Sequence, residues 1–229
     1  MSIVGVLPAA GQATRLNGLP KFLLPIPEGN LLDWHCKQMR AASAERVLVG
    51  TSWVNSALVA QHAPNGTEQY LVSTKTMTET VLAARRKAGE ADVLFGMPDT
   101  YFESPNIYSA LAANPHEADV VVALWIIRPE QRGQLGQCDI DNDMNITTVI
   151  DKDPTCEFVL TWGALYWKPT FWKFIKPDMP HVGYALQPAI DAGLNVKGTI
   201  FLTNYHDCGT FESYARLCST FVKDEVYDR

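Results

Sequence analysis

The fold of this chain is decided near its start by Leu7-Pro8-Ala9-Ala10-Gly11-Gln12-Ala13-Thr14-Arg15-Leu16, which Leu19-Pro20-Lys21 follows. The apolar run from Ile3 to Leu7 predicts a β-strand in front of a loop of small residues. Small residues let backbone N–H groups turn towards an anion, and Arg15 and Lys21 add positive charge to the same loop. The stretch therefore predicts a triphosphate-binding loop, with an ordinary strand-to-helix connection as the alternative. The residues expected to contact the nucleotide are Ala9, Ala10, Gly11, Ala13 and Thr14.

At these residues the chain resembles the sugar-phosphate nucleotidyltransferase family, in its short form without a C-terminal β-helix domain. The family signature is close to L-A-A-G-x-G-T-R-L, then P-K and L-x-P, and Leu23, Leu24 and Pro25 continue the match. The resemblance implies transfer of a nucleotidyl group from a nucleoside triphosphate to a sugar phosphate, with release of pyrophosphate and with Mg²⁺ as cofactor. Arg15 and Lys21 are then the catalytic cations. Ala13 replaces the second glycine, so a left-handed backbone there would be strained.

Composition limits the class of protein. The chain has 229 residues, of which 47% are hydrophobic and 19% charged, and this predicts one globular domain over residues 1–229. No run approaches the roughly 18 apolar residues of a membrane helix, so we expect no membrane partner. A net charge of -6 argues against a nucleic-acid partner. The N-terminus shows no secretion signal and the five cysteines contain no C-x-x-C pair, so we expect a cytoplasmic protein. A homodimer is one option for its assembly, which the sequence does not determine.

Strand and helix patterns alternate from Ile3 to Ile127, which predicts an α/β fold with a mixed, mostly parallel sheet and helices on both faces. We expect residues 1–127 to form a nucleotide-binding half. From Arg128 the strands shorten, and residues 128–229 are predicted to form an acceptor-binding half that shares the sheet. Asn30 with Asp33, and Thr76 with Glu79, have the pattern of helix N-terminal caps.

Two aspartates are candidate metal ligands. Asp99 follows the predicted strand Ala91 to Gly96, at the edge of the sheet where doubly wound folds bind ligands. A turn or a helix cap is the alternative for this residue. The segment Tyr205-His206-Asp207-Cys208-Gly209-Thr210 resembles the family's W-x-D-T-G-T, which implies that Asp207 is the second ligand. Two carboxylates with phosphate oxygens and waters suit Mg²⁺, which seldom has a complete protein cage.

The acceptor site is predicted from weaker matches. Asp151-Lys152-Asp153-Pro154 is similar to the family's E-K-P motif, which implies that Lys152 contacts the acceptor phosphate and Asp151 the sugar hydroxyls. Asp153 interrupts this motif. Gly136 stands where the family has a glycine that approaches the sugar, and Trp162-Gly163 belongs to a segment resembling T-G-x-Y. For Trp162 a core position is an equal alternative.

The base pocket is the least readable part of the sequence. Thr78 is our candidate for a contact to the base, because it stands in Met77-Thr78-Glu79, where the family often has Gly-Thr-Ala. The alternative is that Thr78 merely lies in the first turn of the helix that Thr76 caps.

Three other functions compete with the family activity. A cytidylyltransferase acting on a non-sugar phosphate, such as an alditol phosphate or phosphocholine, is favoured by the short segment from Arg15 to Lys21. A dinucleotide-dependent oxidoreductase fits poorly, because G-x-G-x-x-G is missing and Thr51 ends the second strand where an acidic residue is expected. A nucleotide sensor without catalysis would explain the departures at Ala13, Asp153 and Cys208.

Overall fold

The computed structural model describes residues 2–113 and 117–227. The strands in chain order are β1 (Ile3–Ala9), β2 (Pro25–Ile26), β3 (Gly29–Asn30), β4 (Arg46–Thr51), β5 (Thr67–Leu71), β6 (Asp92–Gly96), β7 (Thr100–Phe102), β8 (Val120–Ile126), β9 (Gly136–Ile140), β10 (Ile146–Asp151), β11 (Leu160–Trp167), β12 (Val196–Phe201) and β13 (Tyr205–Asp207). The α-helices are α1 (Leu31–Ala41), α2 (Ser56–His62), α3 (Met77–Ala88), α4 (Ile107–Ala113), α5 (Leu186–Asp191) and α6 (Phe211–Tyr227).

Within these ranges nine strands form one mixed sheet. Strands β5, β4, β1 and β6 pair in parallel, and β11 runs antiparallel between β6 and β8. On its other side β8 pairs in parallel with β12, while β9 and β10 branch from the start of β11. Only β10 and β11 therefore run against the direction of the other seven strands of this sheet. The predicted mixed, mostly parallel sheet is confirmed.

Helices cover both faces of the sheet because the strands bury alternate residues on opposite sides. In β4, Val47 and Val49 pack in the core with α1, α4 and α6, whereas Leu48 packs in a second core with α3 and α5. Strands of both halves of the chain contribute to both cores. In the part of the chain described here, no helix combines the length and apolar character needed to cross a membrane.

The predicted caps form as expected. The N–H of Asp33 donates to Asn30 Oδ1 at 2.9 Å, and the N–H of Glu79 donates to Thr76 Oγ1 at 3.1 Å. Helix α2 begins at Ser56 and α4 at Ile107. A 3₁₀ helix spans Pro169–Lys173.

A small two-stranded sheet of β7 and β13 was not predicted from the sequence. It pairs Thr100 with Asp207 and Phe102 with Tyr205. Three-residue strands are too short to show a hydrophobic period, which is why the sequence pattern missed them. This pairing joins the loop that follows β6 to the segment that precedes α6, and it thereby positions the candidate site.

Candidate active site

The predicted phosphate loop leaves the end of β1 and turns sharply. Gly11 lies in open space, because a Cβ added to it would meet no atom within 4 Å. Ala13 has a φ of 50°, the left-handed conformation that its replacement of glycine makes costly. Its carbonyl accepts hydrogen bonds from the N–H groups of Leu16 and Gly18 at 2.9 and 3.1 Å. Within the described residues, the N–H groups of Gly11, Gln12 and Ala13 have no hydrogen-bond acceptor, so they remain available to an anion.

The side chain of Asn55 hydrogen-bonds to the backbone of this loop, a role that the sequence did not indicate. An asparagine directly before a helix normally caps it, but the side chain of Asn55 makes no cap hydrogen bond to α2. Its Nδ2 instead donates to the carbonyls of Gly11 at 3.2 Å and Ala9 at 3.4 Å, and the residue is only 7% exposed. Nothing in the local sequence distinguishes this use of an N-cap asparagine from an ordinary cap.

A cavity of about 360 Å³, here called the loop cavity, opens along the phosphate loop. Its lining consists of residues 8–13, Arg15, Lys21, Phe22, residues 74–77, Thr80, Pro98 and Asp99. All of these residues precede position 100, so the loop cavity is built from the first half of the chain alone.

Thr78, the predicted contact to the base, does not line the loop cavity. Its side chain is fully buried and donates to the carbonyl of Met179. On the same helix turn, Thr76, Met77 and Thr80 line the cavity instead. Thr78 lies in the first turn of α3, whose end Thr76 caps, and its side chain is directed into the protein.

The two predicted metal ligands lie on neighbouring backbone segments. The N–H of Cys208 donates to the Asp99 carbonyl at 2.8 Å, and Asp207 lies opposite Thr100 in the small sheet. Lys21 Nζ is 2.9 Å from Asp99 Oδ2, with side-chain exposures of 19% and 25%. The structure thus brings Lys21, Asp99 and Asp207 together from three distant parts of the chain.

The electrostatics of this pair of carboxylates suit a divalent cation. The pKa of Asp207 lies above its usual value of 3.8, because the carboxyl is withdrawn from water and because the charge of Asp99 is close. The N–H of Gly209, together with Lys21 and Arg15, offsets only part of this effect. No group of three or more metal-ligating side chains exists among the described residues. Two carboxylates are a donor set that Mg²⁺ accepts when phosphate oxygens and waters supply the other ligands.

A second cavity of about 460 Å³, here called the cationic cavity, adjoins the first, and Arg15 lines both. Its cations are Arg15, Arg128, Lys152 and Arg216. Glu130 lies 3.1 Å from Arg128, and Glu212 lies 2.6 Å from Arg216. Lys152 has a φ of 53° directly after β10. The sequence indicated Lys152 but missed Arg128 and Arg216, which belong to no motif.

The remaining predicted acceptor residues do not line the cationic cavity: Gly136, Asp151 and Trp162 lie together, while Gly163 packs against other residues. Asp151 pairs with Gly136 across β10 and β9, and a Cβ on Gly136 would collide with the Trp162 ring. Trp162 is only 5% exposed, and its ring centroid is 5.5 Å from that of His181. Gly163 lies in the core, where a Cβ would come within 2.5 Å of the Tyr205 ring.

Asp151 uses both carboxylate oxygens within the protein. His181 Nε2 is 3.1 Å from Oδ1, and the hydroxyl of Tyr184 donates to Oδ2 at 2.9 Å. Burial by itself would raise the pKa of Asp151, but His181, Tyr184 and Lys152 outweigh it and hold the pKa below 3.8. Asp151 is therefore an ionised, internally bonded carboxylate.

Comparison with known proteins defines the class. Residues 5–183 match the family model of the MobA-like NTP transferase domain, and since this is more than half of the chain, the protein belongs to that family. No curated protein matches the chain in sequence.

Solved structures share the fold. UDP-glucose pyrophosphorylase complexed with UDP-glucose superposes with a TM-score of 0.81 at 16% identity, over 98% of this chain and 100% of that one. A candidate glucose-1-phosphate thymidylyltransferase from Bacillus anthracis, in complex with sucrose, gives 0.81 at 14% over 94% and 93%. UTP-bound UGPase from Acinetobacter baumannii gives 0.79 at 16% over 96% and 93%. Family and fold together make this protein a nucleotidyltransferase enzyme.

Proposed function

We propose that this enzyme transfers a nucleoside monophosphate from a nucleoside triphosphate to a sugar phosphate, producing an NDP-sugar and pyrophosphate with Mg²⁺. The observation that carries the proposal is the meeting of the loop cavity and the cationic cavity at Arg15, with Lys21, Asp99 and Asp207 at their junction. The loop cavity suits the triphosphate, because Ala9, Ala10, Gly11 and Ala13 line it. Thr14 belongs to the same loop. The cationic cavity suits a phosphorylated acceptor.

The two cavities also support the division of the chain that we propose. Apart from Arg15, every residue that lines the cationic cavity lies between positions 128 and 216. Residues 1–127 then bind the nucleotide, residues 128–229 bind the acceptor, and both halves act as one catalytic domain. A cytoplasmic location is part of the proposal, because all five cysteines are free thiols, as suits a reducing compartment.

The reaction needs no protein nucleophile, because the acceptor phosphate is itself an anionic oxygen nucleophile. One of its oxygens forms a bond to the α-phosphorus, and the bond from that phosphorus to the oxygen bridging to the β-phosphate breaks, so pyrophosphate leaves. Lys21 lies between donor and acceptor phosphates, and Arg15 neutralises charge on the departing pyrophosphate. Asp99 and Asp207 would hold Mg²⁺, which when bound neutralises the α-phosphate. Lys152 anchors the acceptor phosphate.

A matrix of nucleoside triphosphates against phosphorylated acceptors, scored by pyrophosphate release, tests this function. We expect turnover with at least one sugar phosphate and dependence on Mg²⁺. Triphosphate binding without turnover on every acceptor would instead support a nucleotide sensor.

A cytidylyltransferase for a non-sugar phosphate is the second candidate, and one observation favours it. Both oxygens of Asp151 already bond within the protein, to His181 and to Tyr184, and its side chain is only 14% exposed, so it has less capacity left for sugar hydroxyls. The same matrix distinguishes the two candidates, since turnover with CTP and an alditol phosphate or phosphocholine, but with no sugar phosphate, would replace our first assignment.

Replacing Lys152 with glutamine is expected to raise KM for the acceptor by about 10-fold, because a charge-assisted hydrogen bond to phosphate is lost. KM for the nucleotide should stay within error, since Lys152 lines the cationic cavity alone. Initial-rate kinetics with each substrate varied in turn measure the difference. Lys176→Gln, an exposed lysine outside both cavities, is the control. An equal rise in both KM values would contradict the assignment.

Replacing Asn55 with aspartate is expected to weaken triphosphate binding by about 10-fold, because carboxylate oxygens would face the carbonyls of Ala9 and Gly11. The helix should tolerate the change, since the side chain of Asn55 makes no cap hydrogen bond to α2 that could be lost. Calorimetric titration with a non-reacting triphosphate analogue measures the affinity. Asn106→Asp, an exposed asparagine directly before α4, is the matched control. Unchanged affinity in Asn55→Asp would show that the loop does not depend on this side chain.

A further inference from the structure

A buried histidine lies beneath the candidate active site without lining either cavity. His35 is in α1 and is fully buried. Its Nδ1 is 2.8 Å from the hydroxyl of Tyr108, and its Nε2 is 2.9 Å from the carbonyl of Thr100. The sequence pattern marks positions 35 and 108 only as members of helices.

The partners of His35 determine which ring nitrogen carries the proton. A carbonyl oxygen only accepts, so Nε2 must carry the hydrogen that it donates to Thr100. Burial lowers the pKa of His35 to about 4, so the ring is neutral and Nδ1 accepts from the hydroxyl of Tyr108. Both directions are thereby defined: the hydroxyl of Tyr108 donates to His35 Nδ1, and His35 Nε2 donates to the carbonyl of Thr100.

That carbonyl belongs to the turn that carries Asp99. The N–H and hydroxyl of Thr100 both donate to the Met97 carbonyl, at 3.1 and 2.8 Å. The turn starts at Gly96, where a Cβ would collide with the Tyr108 hydroxyl and lie 3.3 Å from His35 Nδ1. Residues 96–100 therefore rest directly on the His35–Tyr108 pair, and Asp99 stands within the segment so held.

We propose that His35 and Tyr108 are positioning residues for Asp99, because they hold the turn of residues 96–100 in the one arrangement that presents this carboxylate at the junction of the two cavities. The inference rests on the proposed function of Asp99. Neither residue touches substrate, and both act through the turn. A displacement of about 1 Å at a reacting centre can lower the rate by about 100-fold, so a turn that no longer holds Asp99 in place would slow the reaction strongly.

Two substitutions of His35 separate positioning from simple burial. In His35→Gln the side-chain amide can reach the place of Nε2 and still donate to Thr100, whereas in His35→Asn it reaches only the place of Nδ1 and keeps the contact with Tyr108. Both variants lose the ring. We expect kcat to fall by about 30-fold in His35→Asn and by no more than about 3-fold in His35→Gln, with KM for the nucleotide little changed in either.

A second readout needs neither metal nor substrate. Hydrogen–deuterium exchange at residues 97–100, that is, of the amides of Met97, Asp99 and Thr100, should be faster in metal-free His35→Asn than in wild type, and close to wild type in His35→Gln. Tyr108→Phe, which removes the hydroxyl that donates to His35, should also speed this exchange and lower kcat.

Tyr166→Phe is the matched control. The hydroxyl of Tyr166 donates to Asp92 at 2.5 Å, at the opposite end of β6 from the Asp99 turn. This variant should lower the melting temperature while kcat and exchange at residues 97–100 stay at wild-type levels.

Equal losses of kcat in both His35 variants, in proportion to their melting temperatures, would overturn the inference. The proposed function fails by a different result, wild-type inactivity on the whole substrate matrix. Even then, hydrogen–deuterium exchange tests the positioning role separately, because unchanged exchange at residues 97–100 in His35→Asn would refute the role assigned to His35.

Discussion

Replacing Asp99 or Asp207 with asparagine is expected to lower kcat by about 10³-fold or more, because a metal at a reacting phosphate supplies several kcal/mol of charge stabilisation. Each substitution removes one of the two carboxylates at the junction of the cavities while keeping the side-chain shape. Pyrophosphate release at saturating substrates and several Mg²⁺ concentrations measures the effect. Asp143→Asn, on an exposed turn, is the matched control.

The stability of Asp207→Asn provides an independent check of the same assignment. Because the pKa of Asp207 is raised above 3.8 in the folded protein, the folded state holds this proton more tightly than the unfolded state. Ionising Asp207 therefore lowers the free energy of unfolding. This loss of stability is absent below pH 3.8, grows as the pH rises, and is complete above the raised pKa of Asp207. At neutral pH without Mg²⁺, Asp207→Asn should therefore melt at a higher temperature than wild type. Near-normal pyrophosphate release, or a lower melting temperature with the same fold, would contradict the metal site.

Replacing Lys21 with alanine is expected to reduce kcat by about 10² to 10³-fold, as for other fixed charges that stabilise a transition state. Lys21 Nζ lies 2.9 Å from Asp99 Oδ2 and contacts the cavity that we assign to the triphosphate. The charge on the phosphates grows at the transition state, so KM for the nucleotide should change less than kcat.

The control for this prediction is Lys37→Ala. Lys37 also pairs with an aspartate, Asp33, but on the exposed surface of α1, with a lysine side chain that is 60% exposed. Such surface pairs contribute little, so this variant should keep its activity. If Lys21→Ala raised KM for the nucleotide while kcat stayed constant, Lys21 would be a ground-state binding residue and its catalytic assignment would be lost.

Several parts of the site followed from local sequence. Gly11, Arg15 and Lys21 lie within one short loop after a strand, so their proximity needs no knowledge of the rest of the fold. Asp99 and Asp207 could be proposed because each lies in a recognisable segment. That they meet depends on β7 and β13, whose three-residue pairing carries no periodic signal.

Other parts of the site could not be inferred, because they depend on the direction of a side chain. Thr78 has the residue type expected of a base contact but donates to Met179, some hundred positions away. Asn55 has the type and place of a helix cap, yet it binds carbonyls of the phosphate loop. In both cases one local pattern is compatible with two orientations, and packing against a distant segment decides between them.

The sequence by itself predicted the mixed sheet, because alternating apolar residues are a property of neighbouring positions. It also predicted the phosphate loop and Asp99 as a candidate metal ligand from contiguous residues, and Asp207 through the family resemblance of its segment. Only the tertiary structure decided that Arg128 and Arg216 join Lys152 in one cavity, and that His35 and Tyr108 lie under the Asp99 turn. These groups come from segments far apart in the chain. Their proximity is a result of how the helices close over the sheet, which is set by the packing of the whole core rather than by any one stretch of residues.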